Sequence, residues 1–454
     1  MIKGTASRRQ FIQAGTVAGL GFWIGSSSAE DKKERSPIER LKFAAIGVGG
    51  KGSSDTDHVA SLGDLVAICD IDDNHLQSKA KGNPKAAKFH DFREMFDKMG
   101  KDIDAVVVST ADHTHAAASA MAIRLGKHVY CQKPLTHTVH EARTLRDLAR
   151  KFNVCTQMGN QGTALDQFRT SVEMLHAGNI GPVKEVHLWT NRPIWPQSPG
   201  VTKRPAPGKC PDHVKWDLFL GPAADRPYSP GYHPFAWRGW WDFGTGALGD
   251  MACHTANMPY MGLKLGAPTT ISAECEKLNE ETYPGWAKVT YNFPDRGDGF
   301  PACTVTWYEG KRDGKRVLPP IDLLQGREKD FSGSGSLLIG EKATIYSPDD
   351  YGATLVMIGK DAGDLKAPSK RLPRRGGNSD LEMKKEWVEA IKKGDYKHAM
   401  SNFDYAGALT EAILLGNVAM KAGRKLTYDG KEGKFSEPEA DKLLHTEYRN
   451  GWKL

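Results

Sequence analysis

Residues 41–52 read LKFAAIGVGGKG, an apolar run that passes into Gly47-x-Gly49-x-x-Gly52. A run this short, bounded by glycines, reads as a buried strand. The glycines permit a tight turn and let backbone N–H groups come close to a pyrophosphate, while the helix that follows turns its amino terminus toward the negative charge. A second apolar run, DLVAICD (64–70), ends in Asp70, 18 residues after Gly52. An acid there meets a ribose 2′-hydroxyl and repels a 2′-phosphate. Strand, glycine loop, helix and acid in that order predict a dinucleotide site on Gly47, Gly49, Gly50, Gly52 and Asp70, with NAD preferred to NADP.

The alternation continues through IDAVVVST (103–110), HAAASAMAIRLG (115–126), KHVYC (127–131), TVHEARTLRDLARKF (138–152) and VCTQMG (154–159). Strands and helices in strict succession demand a parallel sheet, whose ligands sit at the carboxyl ends of its strands. STADHTH (109–115) and CQKP (131–134) both follow such ends, so Thr110, Asp112, Gln132 and Lys133 should face the crevice of the glycine loop. Asn160 and Gln161, in GNQG after the last of these strands, are expected to contact a nicotinamide.

Past residue 155 the rhythm alters. ALDQFRTSVEMLHAG reads as a helix, then GPVKEVHLWTN, TTISAEC, WAKVTYNF and ACTVTWYE as strands, with short strands at 337–339 and 343–346. The fold class is therefore α/β, with an N-terminal Rossmann-type parallel sheet (41–155) and a C-terminal α+β domain (156–454) on a mainly antiparallel open sheet with one covered face. DYAGALTEAILLGNVAMKAG (404–423) should be a helix packed on the body.

GVGGKG followed by STADHTHAAASAMAIRLGKHVYCQKPLTHT (109–138) resembles the Gfo/Idh/MocA family, the glucose-fructose oxidoreductases and inositol dehydrogenases, whose usual form is TPNxxH and then ALxxGKHVxxEKP. The likeness runs over essentially the whole mature chain and is most specific over residues 41–162. Two positions depart from it: Ala111-Asp112 stands where Pro-Asn is commoner, and Gln132 stands where the family has Glu. The amide can bond a cofactor ribose but cannot pair with Lys133. The resemblance implies a cis Lys133–Pro134 bond and places His115 by the cofactor. It also extends to GTGALGDMACHTANMPYMG (244–262), where Asp250 and His254, four apart, share a helix face. With Lys133 they resemble the family's catalytic set: His254 the base, Lys133 the cation that stabilises a developing alkoxide, and Asp250 the group that orients the imidazole or accepts a substrate hydroxyl.

Several classes are excluded by composition. The formal charge is +7, and removal of Lys3, Arg8 and Arg9 with a leader lowers it to about +4. The basic stretch KAPSKRLPRR (366–375) has no interleaved aromatics and reads as an exposed loop, so no nucleic-acid partner is expected. Seven cysteines scattered singly argue against a disulfide framework and a zinc site. His113 and His115 beside Cys131, Cys253 and His254 could be read as metal ligands, but small packing cysteines account for them, and no metal is expected.

The amino terminus, residues 1–29 with SRRQFIQAGTVAGLGFWIGSSSA at 7–29, resembles a twin-arginine export signal and is followed by a polar linker, 30–40. A periplasmic or otherwise exported protein without a membrane anchor is expected. Trp195, Tyr228, Tyr232, His233, Trp237, Arg238, Trp240 and Trp241 crowd a proline-rich region (193–243) that suits a lid over sugar rings. Of these His233, Trp237 and Arg238 are the candidate substrate contacts.

The function expected is NAD(P)-dependent oxidation of a secondary hydroxyl of a sugar, cyclitol or glycoside, with tightly held NAD. The alternatives are an NAD-dependent glycosidase working through transient C3 oxidation and elimination, and a nonenzymatic dinucleotide-binding protein. A homo-oligomer, dimer or tetramer, is expected to form through the C-terminal sheet.

Overall fold

The computed structural model describes residues 40–359 and 368–454. The twin-arginine segment and residues 30–39 of the linker lie outside these residues. Six parallel strands form the first sheet: β1 (Lys42–Ile46), β2 (Asp64–Cys69), β3 (Ala87–Phe89), β4 (Ala105–Val108), β5 (His128–Cys131) and β6 (Thr156–Met158). Their spatial order is β3-β2-β1-β4-β5-β6. Residue 155 thus falls just before the last strand of this sheet. β4, AVVV, is buried at every position because helices cover both faces. Those helices are α1 (Gly50–Leu62), α2 (Asp73–Gly82), α3 (Phe92–Met99), α4 (Asp112–Arg124) and α5 (Val139–Phe152). The strand order reverses between β1 and β4, which opens a crevice at their carboxyl ends.

After α6 (Asp166–His176) comes the second sheet. It contains β7 (Val183–Trp189), β8 (Thr270–Cys275), β9 (Trp286–Phe293), β10 (Cys303–Arg312), β11 (Lys315–Arg316), β12 (Gly335–Gly340), β13 (Thr344–Ser347), β14 (Val356–Ile358), β15 (Leu426–Asp429) and β16 (Lys434–Phe435). Only the β7–β10 pair is parallel. Along β9 burial alternates strictly: Ala287, Val289, Tyr291 and Phe293 face the core. Between β7 and β8 lie three short helices, α7 (Trp216–Leu220), α8 (Gly246–Thr255) and α9 (Asn257–Gly262).

Two later helices return to the nucleotide domain. α10 (Ser379–Lys393) packs on the parallel sheet, and α11 (Phe403–Ala422) lies between α5 and the second sheet. α11 matches the expected helix; α10 was not anticipated, because its Lys- and Glu-rich sequence reads as a solvent-facing segment. Its Trp387 is fully buried, 5.8 Å between ring centroids from both Phe43 and Tyr130, and donates Nε1–H to Cys155 O at 3.0 Å. The end of the basic stretch is not a free loop either. Arg374 pairs with Glu173, and Arg375 pairs with Glu389 at 2.9 Å and Glu382 at 3.2 Å. These two arginines fasten the approach to α10. The seven cysteines are free, and no helix among the described residues is long and apolar enough to cross a membrane.

Trp387→Ala would empty the seat between α10 and the parallel sheet. A loss of about 3–5 kcal/mol is expected, seen as a lower urea midpoint at unchanged slope.

Candidate active site and cofactor groove

A groove of about 510 Å³ runs along the carboxyl ends of β1, β2, β4 and β5, with the glycine loop in its floor. Gly47 has φ +80°, and a Cβ there would stand 2.6 Å from Ser109 O; a Cβ on Gly52 would stand 1.9 Å from Gly47 O. Neither position admits a side chain. α1 begins at Gly50, capped by Gly49 with no side-chain hydrogen bond, so its first N–H groups are left for an anion.

Asp70 is more constrained than expected. Its Oδ2 accepts from Val48 N (2.7 Å) and Gly49 N (3.1 Å), and its Oδ1 accepts from Asp72 N (2.9 Å). The carboxylate lines the groove and at the same time fixes the shape of the loop. Thr110 and Asp112, just after β4, also line the groove. Asp112 accepts from Thr245 Oγ1 at 2.7 Å, and burial pushes its pKa up to about 7.

Gln132 is explained by a residue on α1. Asp55, fully buried, accepts from Gln132 Nε2 (2.8 Å) and Ser109 Oγ (2.9 Å), and it pairs with Lys51 (2.5 Å) and with Lys384 of α10 (2.7 Å). A glutamate at 132 would set one carboxylate against another at hydrogen-bond distance, whereas an amide donates to it. Nothing local in the sequence pointed to Asp55 or Lys384.

Lys133, on a cis peptide bond to Pro134 as the resemblance implies, reaches across to α8. Its Nζ donates to Asp250 Oδ1 at 2.8 Å and to Asp250 O at 3.0 Å. The missing glutamate is therefore replaced as a counter-ion by Asp250. Burial disfavours both charges, yet each outweighs that for the other: the Lys133 pKa is raised and the Asp250 pKa lowered. Arg238 adds a second cation, 3.5 Å from Asp250 Oδ1.

Asp250 makes no hydrogen bond to His254, although the two share a helix. The imidazole instead packs edge-on to Tyr351 at 4.9 Å, and its Nδ1 is buried without a partner. Burial and the Lys133 charge push its pKa down to about 3, so it is neutral.

The remaining candidates divide. Trp237 and Arg238 line the groove, as expected of substrate contacts. His233 also lines it but stands by Asp72, at 3.8 Å, beyond β2 rather than beside Lys133. Most of the aromatic region is packed: Tyr232, Trp237, Trp240 and Phe243 form a cluster of their own with Phe219. Only Phe235 is an exposed aromatic at the rim. His115 faces Pro134 O (2.9 Å) and Thr110 O (3.1 Å), and His113 faces Phe219 O and Phe243 O, so these imidazoles brace backbone.

Asn160 Oδ1 accepts from Ser401 Oγ at 2.6 Å, which leaves Asn160 Nδ2 buried and unpartnered, as is Gln161 Oε1. Neither residue is among those that line the groove, so the expected nicotinamide contacts are not brought to it. The glycine cradle and the uncapped helix fit the pyrophosphate of a nicotinamide dinucleotide.

Gln132→Glu should destabilise the protein at pH 8 and recover as pH falls. The new carboxyl, facing Asp55, has a folded pKa raised above its unfolded value, so its penalty disappears once it is protonated. Melting temperatures of variant and wild type from pH 8 to pH 5 would converge.

Family models for "Oxidoreductase family, NAD-binding Rossmann fold" and for the same family's "C-terminal alpha/beta domain" match residues 41–160 and 194–306, between them more than half of the chain. A Glycosyl hydrolase family 109 protein of Solibacter usitatus is 29% identical over 191 residues, 38% of this chain and 43% of that protein. Inositol 2-dehydrogenase 1 of Saccharopolyspora erythraea is 31% identical over 150 residues, 31% of this chain and 44% of that protein. The chain thus spans less than half the length of these curated relatives. Among solved structures, the WlbA dehydrogenase of Bordetella pertussis, in complex with NADH and UDP-GlcNAcA, aligns with TM-score 0.59 at 15% identity, over 86% of this chain and 99% of that one. That likeness is one of fold. The glycine loop, the Lys133–Asp250 pair and both family matches lead to one conclusion: the chain belongs to the Gfo/Idh/MocA oxidoreductase family and carries its NAD-binding Rossmann domain.

Proposed function

We propose that the protein oxidises a secondary hydroxyl of a sugar, cyclitol or glycoside by hydride transfer. The observation that carries this reading is a largely buried lysinium, Lys133, fixed in the cofactor groove by Asp250 with a neutral imidazole, His254, within electrostatic reach. NAD bound in the groove supplies a hydride acceptor, and the chain supplies the rest. Neutral His254 takes the hydroxyl proton, and Lys133 stabilises the oxygen as negative charge develops on it. Asp250 holds Lys133 charged and in place, while Trp237 and Arg238 wall the substrate side. Asp112 adds a carboxyl that titrates in the neutral range.

Kinship with Glycosyl hydrolase family 109 proteins supports a second reading, in which oxidation is transient and the substrate is a glycoside cleaved by elimination before it is reduced again. A protein exported with its cofactor cannot draw on cytoplasmic nicotinamide, so each catalytic cycle must return the bound NAD to its starting state. The second reading meets this as it stands; the first meets it when a second sugar carbonyl takes back the hydride and is reduced on the same bound cofactor.

Lys133→Ala and His254→Ala should each lower kcat roughly 10²- to 10³-fold while leaving NAD binding intact, checked by steady-state rates beside a thermal shift with NAD. Near wild-type rates would remove these roles. In the pH profile of kcat/KM, the limb near pH 7 should vanish in Asp112→Asn; His254, neutral down to about pH 3, contributes none above that.

Protein freed of loose nucleotide by gel filtration should turn over many times on a glycoside or a sugar pair without added NAD. Stoichiometric build-up of NADH that depends on added NAD would instead mark a one-way dehydrogenase.

A further inference from the structure

Across the parallel sheet from Lys133, with β1 and β4 in between, the chain assembles a second group of ligating side chains that the proposed chemistry does not use. Asp72 follows β2 and caps α2. Its Oδ1 accepts from Asn74 N and from His213 Nδ1, each at 2.9 Å. Its other oxygen, Oδ2, faces His233 Nε2 at 3.8 Å. His75, in the first turn of α2, brings a ring nitrogen to the same point, so that one atom from each of Asp72, His75 and His233 lies within 4.8 Å of the others. Asp70 Oδ1 stands 3.7 Å from His75 Nδ1 on the flank.

These separations are too long for hydrogen bonds. They are close to those of a coordination shell, since ligands 2.0–2.1 Å from a zinc-like ion stand roughly 3.3 Å apart in a tetrahedron. Closing the three atoms from within 4.8 Å of one another to that spacing would place them around one ion. Two imidazoles with one carboxylate suit borderline divalent ions, and three protein ligands leave a coordination position open. The His213 bond orients the carboxylate in the way a supporting residue behind a metal ligand does. Asp72 and His233 are almost wholly buried, and His75 is about one-third exposed toward the groove. The His75 ring lies against the glycine loop, where a Cβ on Gly49 would meet Nδ1 at 2.3 Å.

We propose that Asp72, His75 and His233 form a binding site for a divalent transition ion of the zinc, cobalt or nickel class, with one coordination position open to the groove beside Gly49. The ion would join the turn after β2 to the aromatic segment 193–243, which contributes His233. It is distinct from the set of cysteines and histidines around His115, whose imidazoles are bonded to carbonyls.

The test uses the untagged full chain, treated with EDTA, dialysed and titrated with Co²⁺ alone while the visible d–d absorption is followed. One Co²⁺ per chain is expected, and Zn²⁺ should displace it and raise the melting temperature. His75→Ala and His233→Ala, placed on different domains, should each abolish the absorption and the Zn²⁺-dependent shift. His58→Ala, in the separate Asp55–His58–Asp380 group, should leave both unchanged. A thermal shift with NAD confirms that each variant is folded. Absence of stoichiometric Co²⁺ binding, or binding that persists in either folded His75 or His233 variant, would overturn the proposal.

Discussion

The Lys133–Asp250 pair is the contact on which the arrangement of the site depends. It joins the end of β5 in the nucleotide domain to α8 in the second, 117 residues away. Neither charge could sit there alone: removing one partner of a buried pair leaves the other uncompensated, at about 3–5 kcal/mol. The pair fixes the protonation of its neighbours as well. Lys133 helps burial to keep His254 neutral, and Asp250 draws Arg238 toward the same carboxylate. The lysine is thus held charged by Asp250, and the imidazole is kept uncharged by burial and by the Lys133 charge, against the opposing pull of Asp250.

A second buried carboxylate, Asp55, plays the matching part beneath the cofactor loop. It receives Lys51 from its own helix, Lys384 from α10, and Ser109 and Gln132 from the turns after β4 and β5. Gln132 is the key to reading it. The position beside Lys133 is neutral here because its neighbour Asp55 is already an anion. The negative charge that the family pattern places at 132 is carried by Asp55 behind it and by Asp250 in front.

The aromatic segment 193–243 serves two ends. Its cluster of Phe219, Tyr232, Trp240 and Phe243 is held to the nucleotide domain by His113, whose ring nitrogens face Phe219 O and Phe243 O, and the same segment is held to the C-terminal tail by Arg449, which donates to Gly221 O and pairs with Asp217 and Asp225. Thus anchored, the segment extends His233, Phe235, Trp237 and Arg238 into the groove. Its tryptophans are chiefly structural, and the groove-facing surface is narrower than their number suggests.

The sequence by itself determined the parallel sheet, the glycine loop and Asp70, because these follow from short-range rules: strand length, φ > 0 at Gly47, and the fixed offset from loop to acid. It also singled out Lys133, Asp250 and His254. What it could not determine was how they pair. The helical spacing of Asp250 and His254 suggested a mutual hydrogen bond, but the carboxylate turned to the lysine, since a full charge at 2.8 Å in a buried site outcompetes a neutral ring. The roles of α10, Lys384 and Asp55, the fastening of the basic stretch, and the meeting of Asp72, His75 and His233 were illegible for one reason. Each joins residues far apart in the chain, so their distances exist only after the two sheets and α11 have packed. Local pattern specifies the elements; tertiary closure decided which charges face one another.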